Sequence, residues 1–163
     1  MTSNVEATVR EYYRVVGDLN CTQDQLVDVV HPDAVFTEHP NPIAPRGAVR
    51  TVAESLAGFR AGRALLREQS IEILEVLVSD DRAAVRATWS GVVGVDRGPF
   101  TAGTALSCVM AAFVTVTDNR ITAHDTYDCY PPLPVAIPGG AGSTPRFNDH
   151  PAGSPARCES EPP

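Results

Sequence analysis

Two clusters of side chains able to move protons near neutral pH stand at the ends of alternating apolar segments in this chain. They are Val35-Phe36-Thr37-Glu38-His39-Pro40 and His124-Asp125-Thr126-Tyr127-Asp128. A carboxylate withdrawn from water into an apolar pocket has its pKa raised toward neutrality, where it can take a proton from one substrate atom and return it to another. Asp125, set among Ile121, Ala123 and Tyr127, is a candidate for that role. A His titrates near neutrality without tuning. His39 can therefore act as base with Asp125 as acid, or the two can pair, the carboxylate orienting the imidazole. Successive strand residues face opposite ways, so one of Glu38 and His39 is expected in a pocket and the other outside it. The same alternation puts Asp128 and His124 on the face opposite Asp125, which predicts a surface position for Asp128. Tyr13 and Trp89 would add a hydrogen-bond donor and a flat wall for a polycyclic or polyene substrate, with Phe59 and Tyr127 extending the apolar lining.

Each of these residues has a plainer use. Asp125 can pair with an Arg such as Arg86, Glu38 or His39 can be solvated at a strand end, and Tyr12 and Tyr13 sit at helical spacing as core residues. His31 reads as a helix-end residue and His150 falls in the C-terminal tail. Arg46-Gly47 serves the turn into the next helix, with Gly permitting an unusual backbone angle.

The elements that must position the clusters are legible from period. Val5, Val9, Tyr12, Tyr13, Val16 and Leu19 recur at three- and four-residue steps, with Ser3 or Asn4 as cap, and predict a first helix. A shorter helix should start near Thr22, carry Leu26, Val29 and Val30 inward and stop at His31-Pro32. A short strand through Glu38 follows, then a loop over Asn41-Pro42-Ile43-Ala44-Pro45-Arg46-Gly47. Val49, Val52, Leu56 and Phe59 mark a third helix ending near Gly62. From Leu65 the period changes to two, through Ile71, Ile73, Val76 and Val78, with a reversal at Ser79-Asp80-Asp81-Arg82. Further strands are expected over Ala83 to Val95, Leu106 to Val116 and Ile121 to Tyr130. Helices first and a meander after them predict an α+β domain with helices covering one face of a curved, mostly antiparallel sheet. Past Tyr130 the composition turns to Pro, Gly, Ser and Ala, which cannot bury enough apolar surface to offset ordering entropy. The expected domain spans residues 1–137 and a mobile tail 138–163, with Leu133, Val135 and Ile137 still able to pack on the domain.

Composition narrows the function. The length of 163 residues favours one domain. A net charge of −7 leaves no basic surface for nucleic acid or anionic lipid. All 13 cationic side chains are Arg, which excludes a lysine Schiff base or lysine general base. Cys21, Cys108, Cys129 and Cys158 form no Cys-x-x-Cys pair and match neither a zinc site nor a dense disulfide framework, so buried reduced thiols and no metal are expected. Met1 to Glu6 has neither a positive segment nor an apolar signal core, and no run approaches a membrane span, which predicts a cytoplasmic protein.

The order of elements, with Asp33-Ala34-Val35-Phe36-Thr37-Glu38-His39-Pro40 leading to Pro45-Arg46-Gly47, resembles the nuclear transport factor 2-like superfamily. Within it the chain is most similar to the SnoaL-like polyketide cyclases, ketosteroid isomerases and limonene epoxide hydrolases, over residues 5–132. The resemblance implies a cone-shaped α+β barrel with three N-terminal helices, a deep apolar pocket and a homodimer. The isomerases' general-base Asp corresponds to His39 when matched at the proline and to Glu38 when matched at Asp33-Ala34. Their oxyanion-hole Tyr falls near Tyr13, or Tyr12 with a register slip. Their partner Asp falls at Ala111 or Ala112, which argues against steroid isomerisation. The hydrolases' Asp-Arg-Asp triad is represented by Asp125 alone, its Arg-x-Asp part falling near Trp89-Ser90-Gly91. The acid/base Asp of SnoaL-like cyclases corresponds to Asp125. The implied activity is cofactor-independent proton transfer that cyclises or isomerises a hydrophobic polyketide-like intermediate of natural-product biosynthesis. Epoxide opening, and a non-catalytic binding module on the same fold, are the alternatives.

Overall fold

The structure is a computed structural model that describes residues 4–133. Ser3, Val135, Ile137, His150, Cys158 and the expected tail from residue 138 lie outside the described residues.

Helix α1, Val5–Gly17, begins where the Asn4 side chain accepts a hydrogen bond from the Ala7 amide at 3.1 Å. Its inward stripe carries Val9, Tyr12, Tyr13 and Val15. Helix α2, Gln23–Val29, starts in a capping box between Thr22 and Gln25. Strand β1, Val30–Glu38, follows at once. It begins before His31-Pro32, so Val30 and His31 belong to the strand and not to the helix end. A three-residue strand that period could not reveal, β2, Ala48–Arg50, hairpins back on β1 with Glu38 opposite Ala48. Val49 therefore stands exposed on β2 and is no part of the next helix. Gly47 serves the turn into this strand: its φ is +62° and a Cβ there would lie 2.4 Å from the Glu38 carbonyl oxygen. Helix α3, Val52–Leu65, opens with a second capping box, Thr51 with Glu54. Four long strands complete the chain: β3, Leu66–Ser79; β4, Arg82–Val93; β5, Ala105–Thr117; and β6, Arg120–Cys129.

The six strands run in the order β2-β1-β6-β5-β4-β3, and only β1 with β6 is parallel. β2 and β3 are free edges, so the sheet is open and not the closed barrel expected. Only α1 and α2 precede the first strand, with α3 inserted after the β1–β2 hairpin. The core lies between the helices and one sheet face, around Val9, Val15, Val85, Val114, Val116 and Ile121.

One irregularity decides what faces that core. Val114 pairs with His124, but Val116 pairs with Ile121, so two residues of β5 oppose three of β6 and Thr122 is the extra one. Such a β-bulge shifts the alternation of the strand by one. Before it Ile121 points inward; after it His124, Thr126 and Asp128 do.

Candidate active site

A cavity of about 450 Å³ opens between the inner sheet face and the helices. Phe36, Leu26, Ile71, Met110 and Phe59 form much of its apolar wall. Glu38 reaches it from the end of β1, and His124, Thr126 and Asp128 from β6. The parallel pairing sets Glu38 beside Thr126 and Phe36 beside His124, and β5 sets Met110 beside Asp128.

The two carboxyl groups live in different surroundings. Arg50 of β2 donates to Glu38 Oε2 at 2.7 Å, and the buried Asn41 amide donates to Glu38 Oε1 at 2.9 Å. Asn41 is itself fixed, accepting from the amides of Ile43 and Ala44. The loop that reads as a proline-rich spacer is thus a clamp that fixes the Glu38 carboxyl group in place. Asp128 has no cationic partner among the described residues. Thr126 donates to its Oδ1 at 2.9 Å, and burial, helped by the nearby Glu38 charge, raises its pKa against that bond.

His124 is buried, and its Nε2 lies 2.9 Å from the Tyr13 hydroxyl. Burial drives its pKa down to about 4, so the imidazole is neutral at pH 7. Tyr12 and Tyr13 both line the cavity, packed edge to face at 5.2 Å. Burial raises both phenol pKa values, and each is an un-ionised hydroxyl.

The expected site residues divide between two places. Glu38, Tyr13 and Phe59 line the cavity. His39, Asp125 and Tyr127 do not: the bulge turns Asp125 and Tyr127 to the outer sheet face and alternation with Glu38 puts His39 there, where His39 Nε2 meets Asp125 Oδ1 at 2.6 Å and the imidazole stacks on Tyr127 at 4.0 Å. The anticipated His39–Asp125 pair is thus present, but outside the cavity. Asp125 does not pair with Arg86, which lies 3.5 Å from Glu75. Asp128, expected at the surface, faces the cavity instead. Trp89 stands one residue behind the wall, its indole N–H donating to Gln69 Oε1 at 3.0 Å while Gln69 Nε2 donates to the Val16 carbonyl at 2.7 Å. His31 lies on β1, 3.9 Å from Asp33. Asp128, His124 and Arg50 are cavity groups that sequence reasoning did not place there, while Tyr12, the register-slip alternative to Tyr13, lines the cavity beside it. Among the described residues, no group of His, Cys, Asp and Glu is arranged to hold a metal ion.

Three helices on one face of an open, mostly antiparallel sheet, enclosing an apolar cavity with a few convergent ionisable groups, define a small cavity-bearing α+β domain of the nuclear transport factor 2-like superfamily. Residues 9–124 match the SnoaL-like domain, and the chain belongs to that family. Its fold is similar to that of IdmH, a proposed polyketide cyclase from Streptomyces antibioticus, with TM-score 0.65 and 19% identity over 77% of this chain and 91% of that one. It is similar also to AclR, a proposed hydroxylase from Streptomyces galilaeus, with TM-score 0.64 and 17% identity over 81% and 83% of the two chains. An LEH-like epoxide hydrolase from M. tuberculosis aligns with TM-score 0.59 and 14% identity over 78% and 84%. No curated protein matches the sequence.

Proposed function

We propose that the protein is a cofactor-independent acid/base enzyme that cyclises or isomerises a hydrophobic, polyketide-like intermediate in its cavity. The observation that carries this reading is the pair Glu38 and Asp128, two carboxyls on one apolar cavity in unlike environments. Glu38 is held by Arg50 and Asn41, while burial, with the Glu38 charge adding to it, raises the Asp128 pKa. Asp128 Oδ2 accepts no hydrogen bond among the described residues, so Asp128 is the group that takes a proton from a substrate carbon and returns it elsewhere. Tyr12 donates to the carbonyl oxygen on which charge develops as that proton leaves. His39 and Asp125, once candidates for this chemistry, belong to the outer face. We assign to that face, with Val109, Phe113 and Tyr127 exposed on it, the homodimer that the family resemblance implies. No helix among the described residues is long and apolar enough to cross a membrane, and the cytoplasm remains the proposed compartment.

The test incubates metabolite extracts of the source organism with the wild type, Asp128→Asn and Asp125→Asn, and compares them by mass spectrometry. A compound consumed by the wild type and Asp125→Asn, but left unchanged by Asp128→Asn, supports the assignment. Consumption by Asp128→Asn at the wild-type rate sinks it. Retention of one compound, unchanged, by all three makes the protein a binding module.

Epoxide opening is the second reading, favoured by Arg50 of β2, paired with Glu38 on the cavity that Asp128 also lines, a guanidinium with two carboxyls assembled from other elements than Trp89-Ser90-Gly91. Incorporation of labelled oxygen from water into the product distinguishes it from cyclisation.

A further inference from the structure

A second hollow stands back to back with the cavity. It is a groove of about 630 Å³ between the C-terminal end of α1 and the start of β3, bordered by Arg14, Asp18, Asn20, Arg67 and Glu68. Tyr13, Gln69 and Ile71 line both spaces, so the wall between an apolar interior and a polar groove is one side chain thick.

The wall is tied from both sides. Helix α1 comes down on β3 at Gly17, where a Cβ would lie 3.2 Å from the Ile71 Cβ, so helix backbone and strand already touch there. Val16, one residue earlier, carries one of the last four carbonyls of the helix, which have no partner within it. Gln69 Nε2 donates to that carbonyl at 2.7 Å, and Gln69 Oε1 accepts from the Trp89 indole N–H at 3.0 Å. The amide thus spans from α1 to β4 beside the Gly17 contact. A partly buried amide is costly unless its polar atoms are bonded, and here both ends are.

We propose that Gln69 is the end wall of the cavity and a specificity-determining residue, limiting the length of the apolar chain that the cavity takes. A chain growing past Ile71 meets the bonded amide. Displacing that amide would leave the Trp89 N–H and the Val16 carbonyl without partners. The inference rests on the cavity being the ligand site, and on none of the roles given to Glu38, Asp128 or Tyr12.

The probes are straight-chain primary alcohols from hexanol to dodecanol, added to the full chain. Binding is followed by calorimetry and by the fluorescence of Trp89, the one tryptophan in the sequence. Wild-type affinity should rise about fourfold per methylene up to a limiting length and then level off. Trp89 emission should shift first at that same length, since only there does a chain press on the amide bonded to the indole. Gln69→Ala should bind the shorter alcohols as the wild type does, showing an intact fold, and carry the rise through about two further methylenes, a gain of roughly tenfold. Glu68→Ala, which alters the groove alone, should keep the wild-type limit. An unchanged limit in Gln69→Ala, or a limit moved by Glu68→Ala, would overturn the proposal. Should Gln69→Ala fail to fold, the wild type still decides: a levelling off with no shift in Trp89 emission, or an affinity that climbs to dodecanol without a break, overturns it. So does a wild type that binds none of the alcohols. A length limit found as expected while Asp128→Asn stays active would refute the acid/base assignment and leave this inference standing.

Discussion

His124 and Asp128 lie four residues apart on β6, face one cavity, and carry opposite pH dependences. The folded pKa of His124 is lowered from 6.5 to about 4 by burial. Its contribution is therefore fully present above pH 6.5 and is lost as pH falls through 4, about 3 kcal/mol in all. The Asp128 pKa is raised, so its contribution is full below the ordinary carboxylate range and is lost as pH rises through the raised value. Urea unfolding of His124→Gln against the wild type should show the variant less sensitive to acid between pH 6.5 and 4. Asp128→Asn should gain on the wild type as pH rises from acid to neutral. An acid limb left unaltered in His124→Gln would mean that the imidazole is already charged in the fold.

At the scale of elements, the decisive pieces are small: one extra residue in β6, a three-residue β2 and the loop between β1 and β2. The loop crosses the end of β1 so closely that Gly47 admits no side chain. Gly47→Ala should destabilise the fold by roughly 1–3 kcal/mol and displace the Glu38 clamp. The expected result is a lower thermal midpoint together with lost activity. Retention of both would show that the loop can move aside. Gly58 and Gly62 pull the other way: with nothing for a methyl group to strike, alanine at each should stabilise α3 by about 1 kcal/mol, read from the denaturant midpoint.

For the whole molecule, the helices cover one sheet face and leave the other with Phe113 60% and Val109 51% exposed around the His39–Asp125 pair. If that face is the homodimer contact, Phe113→Asp should yield a folded monomer, measured by sedimentation and circular dichroism. A variant with the wild-type mass in solution would remove the outer face from the interface. Three helices, four long strands and their antiparallel meander follow from period in the sequence, because a stripe at 3.6 or at 2 residues is local. β2 is too short to show a period, and an open sheet differs from a closed barrel only in long-range pairing.

The sequence by itself determined the types and order of the elements apart from β2, the two proton-active clusters, and which residues within each run share a side: Glu38 opposite His39, and Asp128 opposite Asp125. Covalent geometry decides those relations, since successive side chains on a pleated strand alternate. Which side meets the cavity was decided only by the tertiary structure. Counting by twos from the buried Ile121 selects Asp125 and Tyr127, but the bulge at Thr122 shifts the count and brings Thr126 and Asp128 inward. The bulge is a property of the long-range register of β6 against β5, which no local period reveals. The Arg50–Glu38 clamp depends likewise on a hairpin whose partners are 12 residues apart in sequence and 2.7 Å apart in space.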